Sequence, residues 1–166
     1  KAVAVQVRGV STAMASINRM WSYGYYSSAV GLTGGMDGMI GTDGTVYWNY
    51  YDTGNNFLSS AASVVSTNTW CHLAWVRSGQ KLMIFKDGSL IASTTMSNTS
   101  FTESLGPFYI GKMNGDNSSW ADCNCYLDEF RITNGVARYG GATTAPSAAF
   151  PNTGTTNALL NPSDKG

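Results

Sequence analysis

The chain has 166 residues with ten basic and ten acidic side chains, and charged residues make up 12% of it, about half the ~25% usual for soluble proteins. A net charge of zero excludes the basic excess with which proteins hold nucleic acid or an anionic membrane surface. No run approaches the ~20 consecutive apolar residues of a membrane span, so neither nucleic acid nor membrane is an expected partner.

Polarity comes instead from Ser, Thr, Asn and 19 Gly, the residues of turns and uncharged surfaces. Such a composition is common in secreted and virion β-proteins. The length fits one domain that buries ~70% of its unfolded surface. Lys1 is not an initiator Met, and "KAVAVQVRGV" lacks the apolar core and cleavage site of a signal peptide. The chain therefore reads as a processed form or a piece of something longer.

Helical periodicity is almost absent, whereas short period-two runs punctuated by Gly, Asn and Asp recur throughout, the pattern of an antiparallel sandwich or barrel. The first run, "AVAVQVR", puts Val3, Val5 and Val7 on one face. In "GLTGGMDGMIGTDG" the Asp-Gly pairs at 37–38 and 43–44 each predict a two-residue hairpin turn, because type I′ geometry needs positive φ and Asp-Gly tolerates it. "TVYWNYY" alternates Val46, Trp48 and Tyr50 against Thr45, Tyr47, Asn49 and Tyr51. In "WCHLAWVRSGQKLMIFKDGSLIAS" Trp70, His72, Ala74 and Val76 share one face, and Cys71, Leu73, Trp75 and Arg77 the other. "SGQ" turns the chain, Leu82 and Ile84 return opposed to Met83 and Phe85, and Asp87-Gly88 makes a second tight turn. Large apolar groups on both faces predict one face in the core and the other covered by loops or lining a concave surface. "GPFYIGK" and "CYLDEFRIT" read as two further strands. Beyond Thr133 the Gly-, Pro- and Thr-rich sequence predicts a strap, since Pro146 and Pro151 cannot sit in a central strand.

Three cysteines make no disulfide framework. At most one bridge can form: Cys71 with either partner is open, whereas Cys123 and Cys125 on one strand face would be strained. Three buried thiols is the other reading.

The run "TNTWCHLAWVRSGQKLMIFKDGSLIAS", then "FYIGK", then "CYLDEFRITNGVARY", resembles the laminin-G-like, concanavalin A-like jelly-roll domains. The shared marks are a Trp-x-His strand, a Lys-Asp-Gly turn, a Gly-bearing strand and a strand with Asp-Glu-aromatic-Arg-Ile. The resemblance covers residues 68–151 most closely, and "RITNGVARYGGATTAPSAAFPN" is most similar to versions in bacteriophage structural proteins. It implies an all-β, antiparallel two-sheet sandwich over residues 1–151, followed by a polar tail at 152–166. It also implies an additional opening strand before "AVAVQVR" that this sequence does not show. That points to a processed N-terminus or to an opening edge filled by another chain.

Glycanases of this fold hold two carboxylates on one strand face, ~5–5.5 Å apart for retention and farther for inversion. The two glutamates here are Glu103, in the loop-like "NTSFTESLG", and Glu129, which directly follows Asp128; strand neighbours point to opposite faces, so no catalytic residue is assigned. His72, the single histidine, reads as a sheet residue, and one His with three Cys does not match zinc spacing. Asp128 and Arg131 read as structural, since isolated buried charge is too costly to keep. No cofactor is expected apart from calcium, which relatives hold at the loop rim. "MNGDNSSWAD" and "DGMIGTDG" supply hard oxygen donors, and Asp116 and Asp122 are the candidate ligands; ordinary turns are the plainer reading. Aromatic residues cluster beside Asn and Asp in "MWSYGYY" and "VYWNYYDTGNN", groups that serve sugar stacking and protein interfaces alike. The candidate recognition residues are Tyr47, Trp48, Tyr51, Asn117 and Trp120, with alternation sending one of Tyr47 and Trp48 inward.

Taken with the resemblance, these features read first as a non-catalytic structural or adhesion module on a virion surface. It would be a bacteriophage capsid decoration or tail appendage, meeting other virion proteins, copies of itself and a cell-surface glycan. The alternative is a secreted, extracellular carbohydrate-binding module of a bacterial enzyme or adhesin. A glycan-cleaving enzyme stands third.

Overall fold

A computed structural model describes residues 2–11, 17–27, 31–51, 54–98, 107–112, 122–138 and 156–160. Among the described residues the period-two runs form eleven strands: β1 (Ala2–Ser11), β2 (Asn18–Ser27), β3 (Gly31–Ile40), β4 (Val46–Tyr51), β5 (Asn55–Ser59), β6 (Cys71–Ser78), β7 (Lys81–Lys86), β8 (Ser89–Thr95), β9 (Phe108–Ile110), β10 (Cys125–Asn134) and β11 (Thr156–Leu160). They pair antiparallel into a six-stranded sheet, β11-β10-β1-β6-β7-β8, and a five-stranded sheet, β5-β4-β3-β2-β9. The all-β two-sheet sandwich implied by the resemblance, one of the two forms the pattern allows, is the fold.

Alternation fills the space between the sheets. Val5, Val7, Leu73, Trp75, Leu82, Ile84 and Phe130 come from the six-stranded sheet, and Trp21, Ile40, Val46, Trp48 and Leu58 from the five-stranded one. Trp21 is the hub, meeting Trp48 edge-on at 6.4 Å and Trp75 edge-on at 5.8 Å between ring centroids, the arrangement the ring quadrupoles favour. Trp75 also donates its indole N–H to the Tyr47 carbonyl oxygen at 2.9 Å, joining the sheets by a hydrogen bond as well as by packing. On the far face of the six-stranded sheet Ala4, Ala74, Val76, Met83 and Phe85 form a second cluster with Ala137 against it. Both faces of β6 and β7 are buried, as their composition predicts.

Turn chemistry divides the three Asp-Gly pairs. Asp87-Gly88 turns as expected, with φ of 49° and 83°, and Asp87 Oδ1 accepts the His72 backbone N–H at 2.9 Å. At 43–44 the loop is one residue longer than expected. Gly41 N–H donates to the Thr45 carbonyl at 2.8 Å, Gly44 N–H to the Gly41 carbonyl at 3.1 Å, and only Gly44 takes positive φ, 78°. Asp37-Gly38 makes no turn and lies inside β3. Gly38 is there for space: a Cβ would sit 2.2 Å from Trp21 Nε1 and 2.8 Å from Trp75 Cε2.

Two expectations about the chain ends also change. β1 lies between β10 and β6, so no vacant edge adjoins it for another chain to fill. Thr156–Leu160, inside the segment read as a polar tail, pairs with β10 as an edge strand; the Pro-rich strap itself lies outside the described residues.

Cys123 precedes β10 instead of sharing a strand face with Cys125, and the two are joined by a disulfide with Cα atoms 5.3 Å apart, inside the usual range of ~4.4–6.8 Å. Cys71 is the free thiol. Burial, reinforced by the Asp87 charge, pushes it up to about 11, which suppresses the reactive thiolate. Native protein at neutral pH should therefore resist iodoacetamide. Mass spectrometry should find one alkylated cysteine after denaturation and three after denaturation with reductant. Three labels without reductant would contradict the bridge.

Candidate functional site

The outer face of the five-stranded sheet carries residues that alternate with the core set. Cross-strand register aligns Ser22, Asp37, Asn49 and Phe57 in one row, and Arg19, Met39, Tyr47 and Ser59 in the next. The row centres are closed to solvent. Arg19 and Asp37 are 0% and 1% exposed and paired through Arg19 Nε and Asp37 Oδ2 at 3.2 Å. Burial pushes the Asp37 carboxyl above its usual 3.8, against the downward pull of the Arg19 charge and of hydrogen bonds from Arg19 and Asn49.

At the β3–β4 end this face opens into a groove of about 360 Å³ lined by Ile17, Met39, Gly41, Thr42, Asp43, Tyr47 and Phe57. That is at the small end of the ~300–1,000 Å³ typical of ligand sites. Tyr47 is half-buried and Phe57 is 51% exposed. They are diagonal neighbours on paired strands, ~7–8 Å apart by ordinary sheet spacing, so two aromatic rings form one wall. Gly41 lets the parts converge: a Cβ on it would meet Tyr47 Cε2 at 2.9 Å and Asp43 Oδ1 at 3.1 Å. Asp43 Oδ1 accepts the Thr45 backbone N–H at 3.0 Å, and this bond holds the exposed carboxyl below its usual 3.8. The groove therefore presents aromatic faces beside an ionised carboxylate and the Thr42 hydroxyl.

Of the residues expected from sequence, Tyr47 lines the groove. Trp48 does not: at 1% exposure it belongs to the core, because its row faces Leu58 and Trp21. Tyr51 shares the Tyr47 face but stands four residues along β4 and outside the groove lining. Asn117, Trp120 and Asp116 lie outside the described residues. Asp122 is exposed and its backbone bridges to that of Arg19. Among the described residues no group of three His, Cys, Asp or Glu is placed to hold a metal. Asp37 and Asp43, both in "DGMIGTDG", part company, one in the sealed ion pair and the other at the open turn. Glu129 is buried in β10, where Asp128 Oδ1 accepts its backbone N–H, and Glu103 lies outside the described residues.

Sequence reading missed Phe57 and Met39 as site residues, and offered Asp43 only among the hard oxygen donors of "DGMIGTDG". Strand pairing is what places Phe57: a three-residue connection between Tyr51 and Asn55 sets it opposite Asn49, on the Tyr47 face.

A laminin G family model described as the concanavalin A-like lectin/glucanases superfamily matches residues 10–138. No curated protein sequence matches the chain. Among solved structures, the CBM40 of Ruminococcus gnavus IT-sialidase bound to α2,3-sialyllactose superposes with a TM-score of 0.62 at 13% identity, covering 76% of this chain and 75% of that one. Domains LG4-5 of the mouse laminin α1 chain superpose with a TM-score of 0.57 at 18% identity over 79% of this chain and 34% of that one. The heptameric SAP-like pentraxin of Limulus polyphemus gives 0.55 at 15% identity over 79% and 63%. At such identities the likeness is one of fold.

Proposed function

This chain belongs to the concanavalin A-like lectin/glucanases superfamily, and on that premise we propose that it is a non-catalytic glycan-recognition module that binds in the groove beside the β3–β4 turn. The observation that carries the reading is the Tyr47–Phe57 wall with Thr42 and Asp43 at its edge. Aromatic faces cover the C–H surfaces of a pyranose, while the hydroxyl and carboxylate take hydrogen bonds from sugar hydroxyls. Glycoside cleavage needs two carboxyl groups flanking the bond, and the described lining supplies one. The fold of a carbohydrate-binding module crystallised with a sialylated sugar supports the same class of function.

The virion setting rests on the resemblance of "RITNGVARY" to phage proteins, whereas the glycan reading has both a groove and a family behind it. A secreted, extracellular module attached to a larger enzyme or adhesin is accordingly the leading form of the proposal. The proposal invokes no calcium in the groove, because the described lining carries one carboxylate where calcium takes ~6–8 oxygen ligands, so chelation should leave affinity unchanged.

A glycan array followed by titration calorimetry tests the reading. Tyr47→Ala and Phe57→Ala should each weaken binding about tenfold, equivalent to ~1.4 kcal/mol. Phe57→Ala should leave the unfolding temperature unmoved, because that ring is half in solvent. Binding to no glycan, or binding untouched by either change, would contradict it.

A further inference from the structure

Resting on the glycan reading, we infer that the groove selects uncharged sugars and rejects sialylated, sulfated or uronic-acid ligands. The lining joins apolar and aromatic groups to a single charged one, the Asp43 carboxylate, and no Lys, Arg or His lines it among the described residues. The nearest guanidinium by register, that of Arg19, is fully buried and committed to Asp37, so it is not presented to a ligand. Asp43 is exposed, and its bond from the Thr45 amide holds it ionised at neutral pH.

An ionised carboxylate accepts hydrogen bonds through about four lone-pair sites, and the Thr45 amide engages one oxygen. The remaining capacity suits adjacent hydroxyls of a neutral pyranose, in bonds strengthened by the acceptor's charge. A ligand carboxylate or sulfate in that place would instead face a like charge with no cation beside it. Two unit charges ~4 Å apart in water repel enough to lower affinity about fivefold, an effect that salt weakens.

The experiment measures Kd for lactose and α2,3-sialyllactose, and for other matched neutral and anionic pairs found on the array, at low and high salt. The wild-type chain should prefer the neutral member by about fivefold or more at low salt. Asp43→Asn keeps an oxygen for the Thr45 amide and should bring that ratio toward one while weakening neutral-sugar binding. Thr42→Lys, adding a cation at the exposed turn, should reverse the preference. Equal or tighter binding of the anionic members by the wild-type chain would overturn the inference and leave glycan recognition standing. Failure of every sugar to bind would remove both.

Discussion

Asp37→Ala is expected to lower the unfolding free energy by roughly 3–5 kcal/mol, the cost of breaking a buried ion pair by removing one partner. The Arg19 side chain is fully buried and its Nε pairs with Asp37 Oδ2 at 3.2 Å, so removing the carboxylate leaves a cation that water does not reach. The loss comes from the charge left behind, not from the worth of the pair. Arg19→Met with Asp37→Leu should therefore recover most of it, since apolar replacement of a whole buried pair is often neutral. Denaturant midpoints with unchanged m-values read both results. A cost below ~1 kcal/mol for Asp37→Ala would place the pair in the class of solvent-exposed salt bridges and refute the sealed outer face.

Trp75→Ala should cost about as much, ~3–5 kcal/mol for a large aromatic removed from a packed core. The indole has no exposure, packs edge-on against Trp21 and donates to the Tyr47 carbonyl in the opposite sheet. Because a typical domain has only ~5–15 kcal/mol in hand, the alanine variant stands near unfolding, and Trp75→Phe is the informative companion. Phenylalanine keeps much of the volume but lacks the N–H, so it should cost less and loosen β4. Near-UV dichroism of the tryptophan cluster and Tm together read the difference. A phenylalanine variant as stable as the parent would show that the inter-sheet hydrogen bond contributes nothing.

Both variants probe features whose legibility in the sequence differs. The separation of Val46, Trp48 and Tyr50 from Tyr47, Asn49 and Tyr51 follows from alternation alone, and so do the opposed faces of β6 and β7. What alternation cannot state is which face meets the other sheet. Leu58 and Trp21 on the Trp48 side make Trp48, and not Tyr47, the inward residue. The Asp-Gly at 37–38 was misread because glycine answers two needs with one residue. At Gly88 it supplies positive φ; at Gly38 it leaves room for two indoles. The same misreading hid the role of Asp37, which a turn would have placed in water.

The groove was half legible. Tyr47 came from the aromatic cluster, whereas Phe57 needed the hairpin register and Asp43 needed the three-residue loop that brings its carboxylate beside Gly41. Such residues meet only after strands pair, and no local pattern announces them.

The central claim is that the outer groove of the five-stranded sheet is where a sugar binds. Backbone-amide NMR of the isotope-labelled chain, titrated with the best neutral glycan, tests it residue by residue. The account predicts saturable shifts centred on Met39, Gly41 to Asp43, Tyr47 and Phe57, with the β6–β7 hairpin unmoved. Shifts centred on that hairpin or on β10 instead, with the groove silent, would contradict it.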